Sequence, residues 1–365
     1  MSQTPKQLAA DIAAACEDRK IRIMEICGTH TVSLFRTGAR SMLPEGLKLV
    51  SGPGCPVCVT SQAWIDLACD LAARDEVTIV TYGDMVRVPG TAASLETLRA
   101  RGADVRIVYS ARDALAIARE TPGRQVVFLA VGFETTAPAT AATVLAARAA
   151  GLENFTILPG HKFVMPAMAA LLADPDIPID GFLCPGHVSV VLGTGAYEPI
   201  ARDYHRPCVV AGFELENMLA GIAAIAAQVA AGAARVENVY TAVVRPEGNP
   251  AARALIEKVF QPGDDLWRAL GNIPASGMAL RDEFGDVDAM ARFNLTMGSD
   301  VHPPGCRCGE VIQGKLTPAE CELFATTCTP QRPVGPCMVS SEGTCAAWFR
   351  YNRRGQAASQ SRPTP

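Results

Sequence analysis

Short runs of apolar, often β-branched residues end in glycine or polar turns and alternate with helix-like segments through residue 245. Strands buried on both faces read as continuous apolar runs, so this pattern predicts parallel α/β layers. A first set of strands is expected at residues 21–26, 47–50, 77–81 and 105–109, with helices over 61–74 and 92–101. These four strands are expected to make one small domain, residues 1–120. A second set, at 125–131, 154–158, 179–184, 207–211 and 239–244, is interleaved with alanine-rich helices over 139–150 and 215–234. It predicts a second α/β domain, residues 121–245. The phrases VGFETT and AGFELE each close a predicted strand, and PGH occurs twice, as expected of strand ends facing one crevice. Ligands of open α/β sheets collect at such carboxyl ends.

Past residue 246 the texture changes to helical segments and then to loops dense in Pro, Gly and Cys. Residues 246–353 are expected to form a smaller, loop-rich and helical C-terminal domain. The polar stretch 354–365 is expected to be a disordered tail. Because residues 298–345 show little apolar periodicity, a metal centre is the expected source of their order.

Charge narrows the function classes. Lys and Arg number 33 against 37 Asp and Glu, a formal net charge of −4 that offers no basic footprint for nucleic acid or an anionic membrane. The N-terminus has no basic, apolar and cleavable signal pattern and reads as a short amphipathic helix. The least charged stretch, residues 217–234, is mostly alanine and reads as a packed helix rather than a membrane span. The expected location is the cytoplasm.

Thirteen cysteines then become informative, because in a reducing compartment clustered cysteines point to metal or redox chemistry. Cys16, Cys69, Cys184 and Cys208 are scattered and read as small buried hydrophobes. EICGTH places Cys27 and His30 just beyond the first strand. GPGCPVC places Cys55 and Cys58 after the second, ahead of a helix whose unpaired amides favour thiolates. A single CxxC is shared by redox pairs, iron sites and zinc sites, and the Pro-flanked position after a strand favours redox or iron use. His30 by itself reads better as a core or capping histidine than as a ligand, until its neighbour Cys27 is considered. GFETTAP puts Glu134 at a strand end, where it could orient a ligand or accept a proton, while Thr135 and Thr136 cap the next helix. No phosphate loop or dinucleotide fingerprint is present.

Six further cysteines crowd the last 60 residues. Cys306, Cys321, Cys328 and Cys345 are spaced C-x14-C-x6-C-x16-C, the four-thiolate complement of a [4Fe–4S] cluster, although zinc is not distinguished by spacing alone. Only Arg307 separates Cys308 from Cys306, so Cys308 could replace it as a ligand. Cys308 and Cys337 are otherwise surplus, which suggests redox chemistry beside the metal.

At these residues the chain resembles the HypD family of hydrogenase maturation proteins. MEICGTHT, SGPGCPVCVT, TYGDMVRVPG, GFETTAPATA, LCPGHVSVVLG, AGFELE, PPGCRCGEV and PVGPCMVSSEGTCAAWFRY occur in family order over nearly the whole chain. The resemblance implies two similar parallel-sheet α/β domains facing a cleft, with a third, iron–sulfur domain. It implies a scaffold on which the Fe(CN)2CO unit of [NiFe]-hydrogenases is assembled, with HypC as the iron-site partner and HypE as the cyanide donor. Cys27 would be the primary iron thiol, Cys55 and Cys58 the adjacent pair, and His30 and Glu134 the site lining. Cys306, Cys321, Cys328 and Cys345 would hold the [4Fe–4S] cluster. The role implied is a redox-active scaffold for iron transiently carrying CN and CO, with no ordinary enzymatic turnover assigned. Two other classes stay open: a thiol–disulfide oxidoreductase acting through the CxxC pair, and a zinc-stabilised assembly platform.

Overall fold

In the computed structural model, which describes residues 3–351, the chain opens with a helix, Pro5–Ala15, lays down two strands of one sheet, builds a second sheet and then returns to finish the first. Strands β1 (Ile21–Glu25) and β2 (Leu47–Ser51) pair in parallel, Glu25 opposite Ser51. The chain then leaves to form β3 (Val77–Thr81), β4 (Asp104–Ile107), β5 (Gln125–Gly132) and β6 (Phe155–His161). These four make a parallel sheet in the order β4-β3-β5-β6. Strands β7 (Gly181–Pro185), β8 (Cys208–Ala211) and β9 (Val236–Asn238) complete the first sheet in the order β2-β1-β7-β8-β9.

The molecule is therefore α/β with two parallel sheets, but the expected grouping of the first four strands is corrected. β1 pairs with β7, Met24 opposite Phe182, whereas β3 joins β5, Ile79 opposite Val127. Both sheets use the same kind of strand, apolar throughout, so local pattern does not tell which sheet a strand enters. The strand expected at 239–244 is also corrected. Asn238 ends β9 by accepting from the Tyr240 amide (2.9 Å) and donating to the Val244 carbonyl (2.9 Å), which turns the chain instead of extending it.

Helices form where expected: Gln62–Ala72, Leu95–Ala100, Ala137–Ala149 and Leu215–Ala230. The last buries Met218, Leu219, Ile222 and Ile225 against the first sheet, and among the described residues no helix is long and apolar enough to cross a membrane. Thr136 sits at the N-cap position of Ala137–Ala149 but bonds the Phe133 carbonyl instead of a helix amide.

Beyond the Pro250–Val259 helix lies an antiparallel hairpin absent from the sequence expectations, β10 (Phe260–Trp267) with β11 (Gly271–Leu280). Pro262, Gly263, Pro274 and Gly277 interrupt its alternation and hide it. The cysteine-rich region carries short helices at Cys308–Ile312, Pro336–Val339 and Thr344–Tyr351. Its apolar residues are few but placed well. Val311, Ile312 and Met338 enter the same core as Met24 and Val50 of the first sheet. Phe35 meets Trp348 edge-on at 5.5 Å, and Arg40 lies over both rings. Apolar and aromatic packing thus orders part of this region, contrary to the expectation from periodicity. The stretch 354–365 lies outside the described residues.

Candidate functional site

Cys27 follows β1 directly and occupies the N-cap of the Gly28–Arg36 helix. Beneath it Glu25 is fully buried, paired with Arg40 and accepting from Thr31 Oγ1 (2.5 Å), so the strand end is fixed by charge as well as by packing. The CxxC loop runs across this turn. A Cβ on Gly54 would lie 2.4 Å from the Cys27 nitrogen and 2.6 Å from its Cα. Only glycine permits that approach.

The backbone N–H groups of His30 and Thr29 pull the Cys27 pKa down, but burial outweighs them, and with the nearby Glu342 carboxylate it pushes the thiol up to about 11. Cys27 thus rests protonated. Cys55 caps the Pro56–Val59 helix, its Sγ accepting from the Cys58 amide (3.2 Å), and it is joined to Cys58 in a disulfide with Cα atoms 5.2 Å apart.

A segment from the far end of the chain closes over both motifs. Ser340 Oγ lies 3.3 Å from Cys55 Sγ and 3.2 Å from Asp84 Oδ2, and Asp84 also accepts from the Ser341 amide and hydroxyl, both at 2.9 Å. Glu342 accepts from Thr29 Oγ1 (2.7 Å), and a Cβ on Gly28 would strike its carbonyl at 2.4 Å. Asp84, which follows β3, thereby joins the second sheet to the CxxC turn of the first. Sequence reasoning missed Asp84, Ser340 and Glu342 as site residues, although all three fall within the motifs TYGDMVRVPG and PVGPCMVSSEGTCAAWFRY.

His30 lies one turn beyond Cys27, wholly buried, with Nε2 3.0 Å from the Gly212 carbonyl and Nδ1 unpartnered. Burial pulls its pKa down to about 4, so it is a neutral imidazole. Phe213 stacks between His30 (4.7 Å) and His187 (4.2 Å), which brings the ends of β7 and β8 to this helix. Glu134 accepts from the Val164 amide (3.0 Å), and its other oxygen has no partner. Burial raises its pKa to about 7. Its charge is felt by the buried Tyr197 phenol.

The six C-terminal cysteines line one small apolar pocket with Phe324 and Met338. They fall partly into pairs. Cys308 donates toward Cys306, which with nearby Arg268 pulls Cys306 down to about 6 while Cys308 is pushed up. Cys345 stands in the same relation to Cys337, which also accepts from the Cys345 amide (3.2 Å). The Val334 amide faces Cys328 Sγ at 3.4 Å. Among the described residues, no group of three or more His, Cys, Asp or Glu surrounds a single metal-ion position. The donor set nevertheless suits an iron–sulfur cluster: soft sulfurs, apolar walls, amides directed at sulfur, and Gly335, whose Cβ would strike Cys306 Sγ at 2.6 Å. Cys16, Cys69, Cys184 and Cys208 are buried elsewhere.

The family model HypD, described as the hydrogenase formation hypA family, matches residues 3–352. The chain is 47% identical over 342 residues to the hydrogenase maturation factor HypD of Escherichia coli (strain K12), covering 93% of this chain and 92% of that protein. It is 44% identical over 363 residues to the hydrogenase expression/formation protein HupD of Azotobacter chroococcum mcd 1, covering 97% and 96%. It is also 44% identical over 362 residues to the hydrogenase maturation factor HypD of Azotobacter vinelandii, covering 97% and 96%.

Proposed function

The chain belongs to the HypD family of hydrogenase maturation factors, and from that premise we propose that it is the scaffold on which iron receives its cyanide and carbon monoxide ligands, with HypC sharing the iron and HypE delivering cyanide. The observation carrying this reading is the convergence of Cys27, the Cys55–Cys58 pair and the segment Ser340–Glu342 at one point. Iron is cargo here. Cys27 is protonated until the metal arrives, and binding releases its proton. Low-spin iron with cyanide and carbon monoxide suits a soft thiolate. The Cys55–Cys58 disulfide can take up two electrons to give two thiolates beside Cys27, and reverse that step when electrons are withdrawn. Glu342 and Asp84 hold the closing segment, while His30, neutral and hydrogen-bonded to Gly212, fixes the helix that carries Cys27.

Cys306, Cys321, Cys328 and Cys345 would hold a [4Fe–4S] cluster, which when bound supplies single electrons. Cys308 and Cys337, left over, line the same pocket, and one or the other is read as pairing reversibly with another thiol there.

The test is anaerobic co-purification with HypC followed by infrared spectroscopy. Bands of bound cyanide and carbon monoxide are expected. Protein that carries neither iron nor those bands, yet exchanges disulfides with protein thiols, would instead support the oxidoreductase reading that the Cys55–Cys58 bond favours.

A further inference from the structure

Arg268 occupies the tip of the β10–β11 hairpin and is only 1% exposed. Its Nε donates to the Thr60 carbonyl (2.9 Å) and Nη1 to Gln62 Oε1 (3.1 Å), while Nη2 has no partner. A buried guanidinium bound only to neutral oxygens is costly, because the hydration it loses is not returned by an opposite charge. Among the described residues no carboxylate pairs with it. Asp66 and Asp300 lie within electrostatic range, but Asp300 is engaged by the Gln62 and Ala63 amides and Asp66 by Thr91. Cys308 and Cys306 also lie within electrostatic range of its charge.

Independent contacts place the hairpin tip against the cysteine-rich region. Ala269 packs on Gly309, where a Cβ would meet it at 2.3 Å, and the Ala269 carbonyl accepts from Gln313 Nε2 (2.6 Å). On its other side, the Arg268 amide donates to the Val59 carbonyl (2.8 Å), at the end of the helix that carries Cys58.

We propose that Arg268 is the fixed counter-charge of the C-terminal thiolate site, raising the reduction potential of the iron–sulfur cluster bound there and coupling that site to the CxxC helix. A positive charge favours the more negative, reduced state of a thiolate-bound cluster, and burial leaves the effect unscreened. The guanidinium is a positioning and tuning group, since it touches neither iron nor ligand. The inference rests on the cluster-bearing reading of the C-terminal cysteines.

The experiment compares anaerobically purified full-length wild type with Arg268→Gln, Arg268→Lys and Asp300→Asn. Iron and sulfide content are measured, and the cluster potential is followed by paramagnetic resonance during redox titration. Arg268→Gln is expected to move the midpoint to more negative values, Arg268→Lys to stay near wild type, and Asp300→Asn, which removes an opposing charge, to move it the other way. Loss of the cluster from Arg268→Gln but not from Arg268→Lys supports the same counter-charge role. Unshifted potentials in Arg268→Gln and Asp300→Asn, or loss of the cluster from the Lys variant as well, overturn it. Wild-type protein without iron and sulfide refutes the cluster reading instead.

Discussion

Gly54 crosses Cys27 so closely that a single added methyl would lie 2.4 Å from the Cys27 backbone nitrogen. The position of the CxxC pair relative to the lone thiol is therefore set by backbone against backbone, with no side chain free to yield. Gly54→Ala should force the loop away from Cys27 and cost about 1–3 kcal/mol, the range for overpacking a dense interior. A lowered unfolding temperature with loss of iron binding at Cys27, but retention of C-terminal iron and sulfide, is the expected pattern. Wild-type stability in this variant would contradict the close approach.

The two buried histidines and Glu134 predict an unusual stability profile. His30 and His161 are both held near 4, below the ordinary histidine value of 6.5. As pH falls from 6.5 toward 4 the unfolded chain takes up these protons and the folded chain does not, so stability is lost in that window, by about 1.4 kcal/mol per pH unit for each histidine. Glu134 works in the opposite direction: raised from 4.5 to about 7, it binds its proton more tightly in the folded state, and stability falls as pH rises through that interval. Glu134→Gln keeps an acceptor for the Val164 amide and removes the buried ionisation. It should stabilise the protein at pH 8 by roughly 3 kcal/mol and have little effect at pH 4. Denaturant unfolding at both pH values measures this, and an equal effect at both would show that Glu134 is not the titrating group.

How much of this was legible in the sequence differs between levels. β3 lies at residues 77–81 as expected, because five consecutive apolar or β-branched residues between polar turns leave little choice. The meeting of Cys27 with the CxxC loop was also legible, since both follow neighbouring strands whose register sets Glu25 opposite Ser51. Sheet membership was not: the pairing of β1 with β7 depends on edges that no local pattern marks. Asp84, Ser340 and Glu342 are ordinary polar residues in isolation, and become site residues only when the fold brings positions 84 and 340 together. Arg268 was hidden for the same reason, in a hairpin whose prolines and glycines conceal its strands.

The six pocket cysteines yield a prediction of unequal roles. Cys306, Cys321, Cys328 and Cys345 should each, on replacement by Ala, lower iron and sulfide content, whereas Cys308→Ala and Cys337→Ala should leave that content intact and remove a thiol able to pair reversibly with another. Alkylation mapped by mass spectrometry across a series of redox potentials follows these two thiols and whichever partners they take. Loss of iron on replacing Cys308 but not Cys306 would exchange the two assignments, which the short separation of these residues makes a pointed comparison.

Cys27 and the CxxC pair should separate most sharply when each is removed. The Cys55–Cys58 disulfide has no thiolate to offer a metal until it is reduced, while Cys27 is a free thiol and has no cysteine partner beside it in the chain. Iron bound by Cys27, as proposed, displaces the proton of a group resting near 11, so its apparent affinity should rise about tenfold for each unit of rising pH below that value. Cys27→Ala should abolish the cyanide and carbon monoxide infrared bands of the complex with HypC and leave C-terminal iron and sulfide intact. Cys55→Ala and Cys58→Ala should still dock HypC, yet stop before the diatomic ligands are in place, because two-electron exchange beside the iron is gone. Normal bands in the Cys27 variant would transfer the anchoring role to the pair. Simultaneous loss of the C-terminal iron would show that the turn at Cys27 supports the fold through Glu342 and its neighbours, and not the iron alone.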